Sequence, residues 1–287
     1  MNVMPGKLLN LIILIASTLL LIVRVPYKDT GKTLDLTGMT LTLNEEFDGD
    51  RLNPAVWNNF SGGLRKGGYW DRGQVFLENG NLIIRTEYKA DGRFGPGYYT
   101  MGLETEGVFE QRYGYFECRC ILPAAQGLWS AFWLHADKAG TVTGTGETGT
   151  EIDVFESPYY YLGSPARNKI TSNLHYNGYD WDTKYQNIGI FKVPGDPYKE
   201  YNTYGLKWTP DEYIFYINGV KTGRSDFGGV SKVKEFLRLS CEVDGSEGRP
   251  NLGWSGRIDL NNGRMLPADF IVDYVRVYQF NEYMPAS

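Results

Sequence analysis

An all-β sandwich of the jelly-roll type is the fold this chain predicts, and three observations predict it. Short segments alternate apolar and polar residues with a period of two. Gly, Asn and Pro punctuate them at turn positions, above all in the pairs Asn79-Gly80 and Asn218-Gly219. No amphipathic helical stretch of any length interrupts them. The 287 residues, 42% of them hydrophobic, suffice for one domain with a real core.

Taken in order, the chain opens on a targeting segment over residues 1–26. Lys7 precedes an apolar run over 8–23, and Arg24 closes it. The run is a little shorter than the roughly 20 residues that span a bilayer comfortably. No small-x-small cleavage site follows it, so a cleaved signal and a retained anchor both stay open. Either places the protein outside the cell or on its surface, with membrane contact only through such an anchor. Residues 27–40 lead into a domain over 41–280, and 281–287 form a tail. Strands are predicted at 81–88 after the Asn79-Gly80 turn, at 115–122, at 213–217 before Asn218-Gly219, and at 270–279. In 115–122, Phe116, Cys118, Cys120 and Leu122 share one face.

Composition narrows the partner. A formal charge of −5 argues against nucleic acid or another polyanion. Aromatic residues reach 15%, which suits a surface that stacks on something flat, and a neutral substrate fits better. Cys118, Cys120 and Cys241 make no disulfide framework and no metal-ligand spacing, so buried packing is their expected role.

The segment 149–157, GTEIDVFES, carries Glu151, Asp153 and Glu156 among strand-forming residues. In a regular strand Glu151 and Asp153 share a face, while Glu156 points into the apolar layer. A lone carboxylate there costs several kcal/mol. One extra residue, Val154 or Phe155, turns Glu156 back by a β-bulge, and three carboxylates then line one cleft. Two such carboxyls serve a retaining glycosidase, one as nucleophile and one as proton donor, and like-charge crowding keeps one protonated. Spacing alone leaves two other readings open, a calcium site and acids on a solvated edge strand. The segment 127–135, GLWSAFWLH, places Trp129, Ala131, Trp133 and His135 on one face and Ser130, Phe132 and Leu134 on the other. The Trp face reads either as core or as a sugar-stacking wall.

These two segments together resemble glycoside hydrolase family 16, in its bulged Glu-x-Asp-x-x-Glu form. Further segments agree: LNEEFDGDRLNPAVW at 43–57, RYGYFECRCILP at 112–123, YNTYGLKWTPDEYIFYINGV at 201–220 and VDYVRVYQ at 272–279. The resemblance implies a concanavalin A-like jelly roll with an open cleft on its concave sheet. It implies endo-acting hydrolysis of a β-linked polysaccharide with retention of configuration. Glu151 falls on the nucleophile, Asp153 on the assisting acid and Glu156 on the acid/base. Trp129 and Trp133 fall on sugar-binding positions, and His175 falls where members place a His near the acid/base. Tyr160 in SPYYYLGSP and Trp181 are further candidate sugar contacts, as are Tyr159, Tyr161 and Trp254. No cofactor is required and no metal belongs to the site; a structural calcium, with Asp273 and Glu45 as conceivable ligands, stays uncommitted. The expected substrate is a β-1,3- or β-1,3/1,4-glucan. A galactan (agar, porphyran, carrageenan) or host glycan is the alternative, because residues 62–75 lack the Asn-x-Glu-x-Gln-type segment of many laminarin-acting members. Arg65, Lys66 and Arg72 in that region could meet a charged sugar. A transglycosylase, or a glycan-binding protein without catalysis, shares the fold. The chain is expected to act as a monomer.

Overall fold

The structure is a computed structural model that describes residues 34–59, 61–161, 164–165, 168–261 and 265–284. Two mainly antiparallel sheets carry almost all of the secondary structure, and the described residues add two small two-stranded pairings and short 3-10 turns. The leader over 1–26 lies outside the described residues. Among those described, no helix is long and apolar enough to cross a membrane.

The period-two pattern explains which side of each strand is buried. In Gly114–Ile121, Phe116, Cys118 and Cys120 are fully buried. On the opposite face, Glu117 accepts hydrogen bonds from Tyr115 Oη at 2.6 Å and Tyr274 Oη at 2.7 Å. This strand lies between Asn202–Trp208 and Ala268–Phe280 in the larger sheet. All three cysteines are buried free thiols. Met39–Glu45 pairs with the C-terminal half of Ala268–Phe280, which ties the start of the domain to its end. Asn79 and Gly80 adopt φ of 52° and 71°, and Asn218 and Gly219 adopt 50° and 72°. Both central residues of a two-residue hairpin need positive φ, which Asn tolerates and Gly adopts freely. Each pair therefore fixes its hairpin register, Glu78 opposite Asn81 and Ile217 opposite Val220.

The second sheet runs, in spatial order, Lys184–Lys192, Lys169–Tyr176, Glu151–Pro158, Leu128–His135, Glu235–Val243, Gly102–Glu104 and Asn58–Asn59. Its inner face joins the other sheet in one apolar cluster. Phe155 carries that contact across the sandwich, with its ring centroid 4.4 Å from Tyr204 and 6.2 Å, edge-on, from Phe270. Burying a side chain of this size is worth roughly 1.5–3 kcal/mol. The core therefore holds the acid-bearing strand in register.

The bulge is at Val154. Trp133 pairs with Asp153 and Phe132 with Phe155, so Val154 has no partner on that side. Towards Lys169–Tyr176 the register also slips, from Asp153 opposite Asn173 to Glu156 opposite Thr171. Val154 and Phe155 both enter the core. The Val154 carbonyl accepts from Ser172 Oγ at 2.7 Å, which satisfies a group the bulge takes out of the ladder. Deleting Val154 is expected to leave the acids on one face, since Glu-Ile-Asp-Phe-Glu alternates regularly. A folded hydrolase with a lower melting temperature and weakened, measurable turnover is the expected result. Complete loss of turnover in a folded deletion variant would show that the bulge spacing itself is indispensable.

Candidate active site

The bulge brings the three predicted acids to the sheet face opposite the core. Ile152, Val154 and Phe155 belong to the apolar cluster and the acids do not. Asn173, opposite Asp153, donates from Nδ2 to Glu156 Oε2 at 2.7 Å, so it spans the two acids. Asn173 is itself aimed by Asn187 Nδ2 at 2.8 Å and Tyr185 Oη at 3.2 Å, both donating to its Oδ1. His175 sits opposite Glu151, with Nε2 3.3 Å from Asp153 Oδ2. His175, expected near the acid/base, thus contacts the middle acid and feels the charge of Glu156. Glu151 Oε2 accepts from Tyr179 Oη, and His135 Nε2 lies 2.6 Å from that hydroxyl.

Burial and like charge raise both glutamates. Burial, then the charge of Asp153, pushes Glu151 up to about 7; His175, Tyr179 and Arg238 pull the other way. The same two causes push Glu156 well above the usual carboxylate range, with His175 and Asn173 opposing. Burial pulls His175 down, but its hydrogen bond to Asp153 and the charges of Asp153, Glu151 and Glu156 outweigh that and hold it at about 9. His175 is therefore cationic at neutral pH. Burial, then Arg238, lowers His135 to about 3, so His135 is neutral. Two crowded, buried carboxyls titrate as a pair in which one keeps its proton while the other ionises, and acid and nucleophile roles require that.

The aromatic row lies beside the acids. Trp133 is half-buried, donates from Nε1 to Ser240 Oγ at 3.1 Å, and has the Arg238 guanidinium 4.7 Å from its ring. Ala131, opposite Glu156, leaves room between the two indoles. Trp129 is 8% exposed, with Trp254 edge-on at 5.5 Å and Lys66 Nζ 5.1 Å from the ring centroid. Neither Trp joins the core cluster. Arg65 forms a forked pair with the buried Glu242, Nη2 to Oε1 at 2.6 Å and Nε to Oε2 at 3.2 Å, and Arg238 pairs with Glu104 at 2.8 Å. Lys66 acts on Glu242 and Asp244, while Arg72 is exposed on a 3-10 turn.

The remaining predicted contacts are scattered. Trp181 is 99% exposed on the turn after Lys169–Tyr176. Tyr159 packs edge-on against Tyr198 at 5.0 Å. The strand that carries the acids continues to Pro158, and Tyr160–Tyr161 then pairs with Ser164–Pro165. The side chains of Tyr160 and Tyr161 lie outside the described residues. Sequence reasoning placed His135 on the Trp face without a role and missed Tyr179, Asn173, Arg238 and the two ion pairs. Asn173 alone carried a signal, since it lies two residues before His175 and so on its face.

Glu151, Asp153 and His175 bring potential ligand atoms within 4.8 Å of one another. Within this cluster protonated His175 and Asp153 form an ion pair, Nε2 to Oδ2 at 3.3 Å. Of the conceivable calcium ligands, Asp273 pairs with Arg119, and Glu45 accepts from Trp57 Nε1 at 3.2 Å.

A β-sandwich with a carboxylate trio beside an indole row defines the carbohydrate-active class. The sequence model of the glycosyl hydrolases family 16 matches residues 65–227, and the chain belongs to that family. It is 27% identical over 281 residues to the endo-1,3-1,4-beta-glycanase ExsH of Rhizobium meliloti, covering 87% of this chain and 54% of that one. It is 26% identical over 247 residues to the keratan-sulfate endo-1,4-beta-galactosidase of Sphingobacterium multivorum, covering 78% of this chain and 54% of that one. The chain thus spans about half the length of these relatives. The laminarinase catalytic domain of Thermotoga maritima superposes with a TM-score of 0.66 at 26% identity, covering 84% of this chain and 98% of that one.

Proposed function

We propose that the protein is a retaining endo-β-glycanase acting on a β-1,3- or β-1,3/1,4-glucan. One observation carries the reading: the Val154 bulge turns Glu156 onto the face of Glu151 and Asp153, where burial and like charge raise both glutamates as a coupled pair. Glu156 donates its proton to the leaving oxygen. Glu151 attacks the anomeric carbon and forms an ester. Glu156 then takes a proton from water, and the sugar leaves with retained configuration. Asp153, paired with His175, sits between the two and acts on the charge of both.

Charge matching supports a neutral polymer. Arg65 meets Glu242 and Arg238 meets Glu104, so neither pairs with a sulfate in this arrangement. The similarity to the laminarinase catalytic domain supports the same choice, and the keratan-sulfate relative keeps a galactan in the test set. We propose further that the protein acts as a monomer outside the cytoplasm, carried there by residues 1–26. The experiment is a product screen of the purified protein on laminarin, mixed-linkage glucan, agarose, porphyran, carrageenan and mucin-type glycans. Oligosaccharides from a glucan support the reading. Products from a galactan or mucin alone would replace the substrate, and silence from a folded protein would refute hydrolysis of these polymers.

Trp133→Ala should raise KM about tenfold on the cleaved polymer, because the indole supplies the stacking face. Loss of thermal stability with unchanged KM would return Trp133 to a packing role.

A further inference from the structure

Tyr179 meets the proposed nucleophile although the residue as a whole is 54% exposed. Its backbone is well anchored. Asn177 and Gly178 take φ of 71° and 86°, the left-handed turn that Asn tolerates and Gly favours. Asn177 Oδ1 accepts from Thr143 N at 2.9 Å and Gly144 N at 2.6 Å, and its Nδ2 donates to Asp182 O at 2.8 Å. Gly178 N donates to Ala139 O at 3.2 Å. The ring lies parallel to His135, 9° apart in plane and 6.2 Å between centroids. A phenol has one proton, and Tyr179 gives it to Glu151. The contact at 2.6 Å therefore requires Nε2–H of His135 to donate to the Tyr179 oxygen. Neutral His135 can do so, with Nδ1 buried and bearing a lone pair.

We propose that Tyr179, held by His135, is a positioning residue for Glu151, fixing Oε2 by a hydrogen bond and leaving Oε1 to attack the anomeric carbon. The proposal rests on Glu151 being the nucleophile. In the first step an Oε1 lone pair forms the bond to the anomeric carbon, the glycosidic bond breaks, and the leaving oxygen takes the Glu156 proton. In the second, water gives a proton to Glu156 and its oxygen bonds to that carbon. The ester bond breaks and its electron pair returns to Glu151. Tyr179 stabilises the carboxylate in the free enzyme and as it re-forms, because a hydrogen bond to a charged group exceeds one to a neutral group. The groups facing Glu151 are Asp153 and Glu156 on its own strand, His175 and Arg238 from the sheet, and His135 and Tyr179. Among the uncharged ones, only Tyr179 donates to it.

The test is the titration of Glu151 in the full chain labelled with 13C at its glutamate carboxyls, the signal being assigned by its loss in Glu151→Gln. Tyr179→Phe keeps the ring and removes the donor. Its Glu151 should bind protons about tenfold more tightly, a rise of about one pH unit. His135→Leu should shift it less and in the same direction. On laminarin, Tyr179→Phe should lower kcat about tenfold or more with KM little changed. An unmoved Glu151 titration in folded Tyr179→Phe overturns the proposal, as does a rise in KM alone, which would make Tyr179 a sugar contact. The titration needs no substrate, so a shifted Glu151 in a protein that cleaves no polymer sinks the glucanase reading and leaves the hydrogen-bond assignment standing. Retained hydrolysis by Glu151→Gln sinks the nucleophile reading, and the positioning role falls with it.

Discussion

Glu151→Gln is expected to lower turnover by about 10⁴-fold or more while leaving the fold and sugar binding in place. Gln fills the same volume and still accepts the Tyr179 hydrogen bond through its amide oxygen. It cannot form the glycosyl ester. Reducing-sugar release measures the loss, and affinity electrophoresis in the cleaved polymer measures the retained binding. Near-normal turnover would remove Glu151 from the mechanism. The parent's acid limb should report the same group. Glu151 must be ionised to attack and sits near 7, so kcat/KM should rise with pH through that region. On the alkaline side it should fall as Glu156 loses its proton, because an ionised Glu156 has nothing to donate. Both limbs belong to the coupled pair.

The fold was legible because its determinants are local. Alternation assigns the inner face of Gly114–Ile121 within eight residues, and Asn-Gly fixes two hairpins within two. The bulge was legible for a different reason. It is the one local change that keeps Glu156 out of the apolar layer, and the structure places it at Val154, one of the two positions expected. The environment of the site was far less legible. Arg65 reaches Glu242 across 177 positions, and Trp57 reaches Glu45 through a turn with no distinctive spacing. The cover on Trp129 comes from Lys66 and Trp254, on segments far from it in the chain, so an indole read as an open platform is 8% exposed. His135 was visible as a member of the Trp face. Nothing in the period of that strand says that a tyrosine 44 residues later will meet it. Strand period assigns faces; it does not say which loop closes over a face.

Glu156→Gln should abolish acid catalysis and, unlike most active-site changes, stabilise the protein at alkaline pH. The proton Glu156 gives to the leaving oxygen is worth about 10²–10⁴-fold in rate. Substrates with an already acidic leaving group should lose much less, because they need no proton. Added azide should then raise their turnover by intercepting the ester without base assistance. The stability effect follows from linkage. Burial and Asp153 raise the Glu156 pKa on folding, so the native state binds more protons than the unfolded chain between the two values. Stability is therefore lost as pH rises above the ordinary Glu value near 4.5 towards the raised native one. Gln carries no such term. The variant's melting temperature should exceed the parent's at pH 8, and the difference should shrink as pH falls to 4, where both states hold the proton. A difference independent of pH would assign the gain to packing. A variant less stable than the parent at pH 8 would mean that Glu156 is ionised there in a favourable site, which is incompatible with its role as the proton donor.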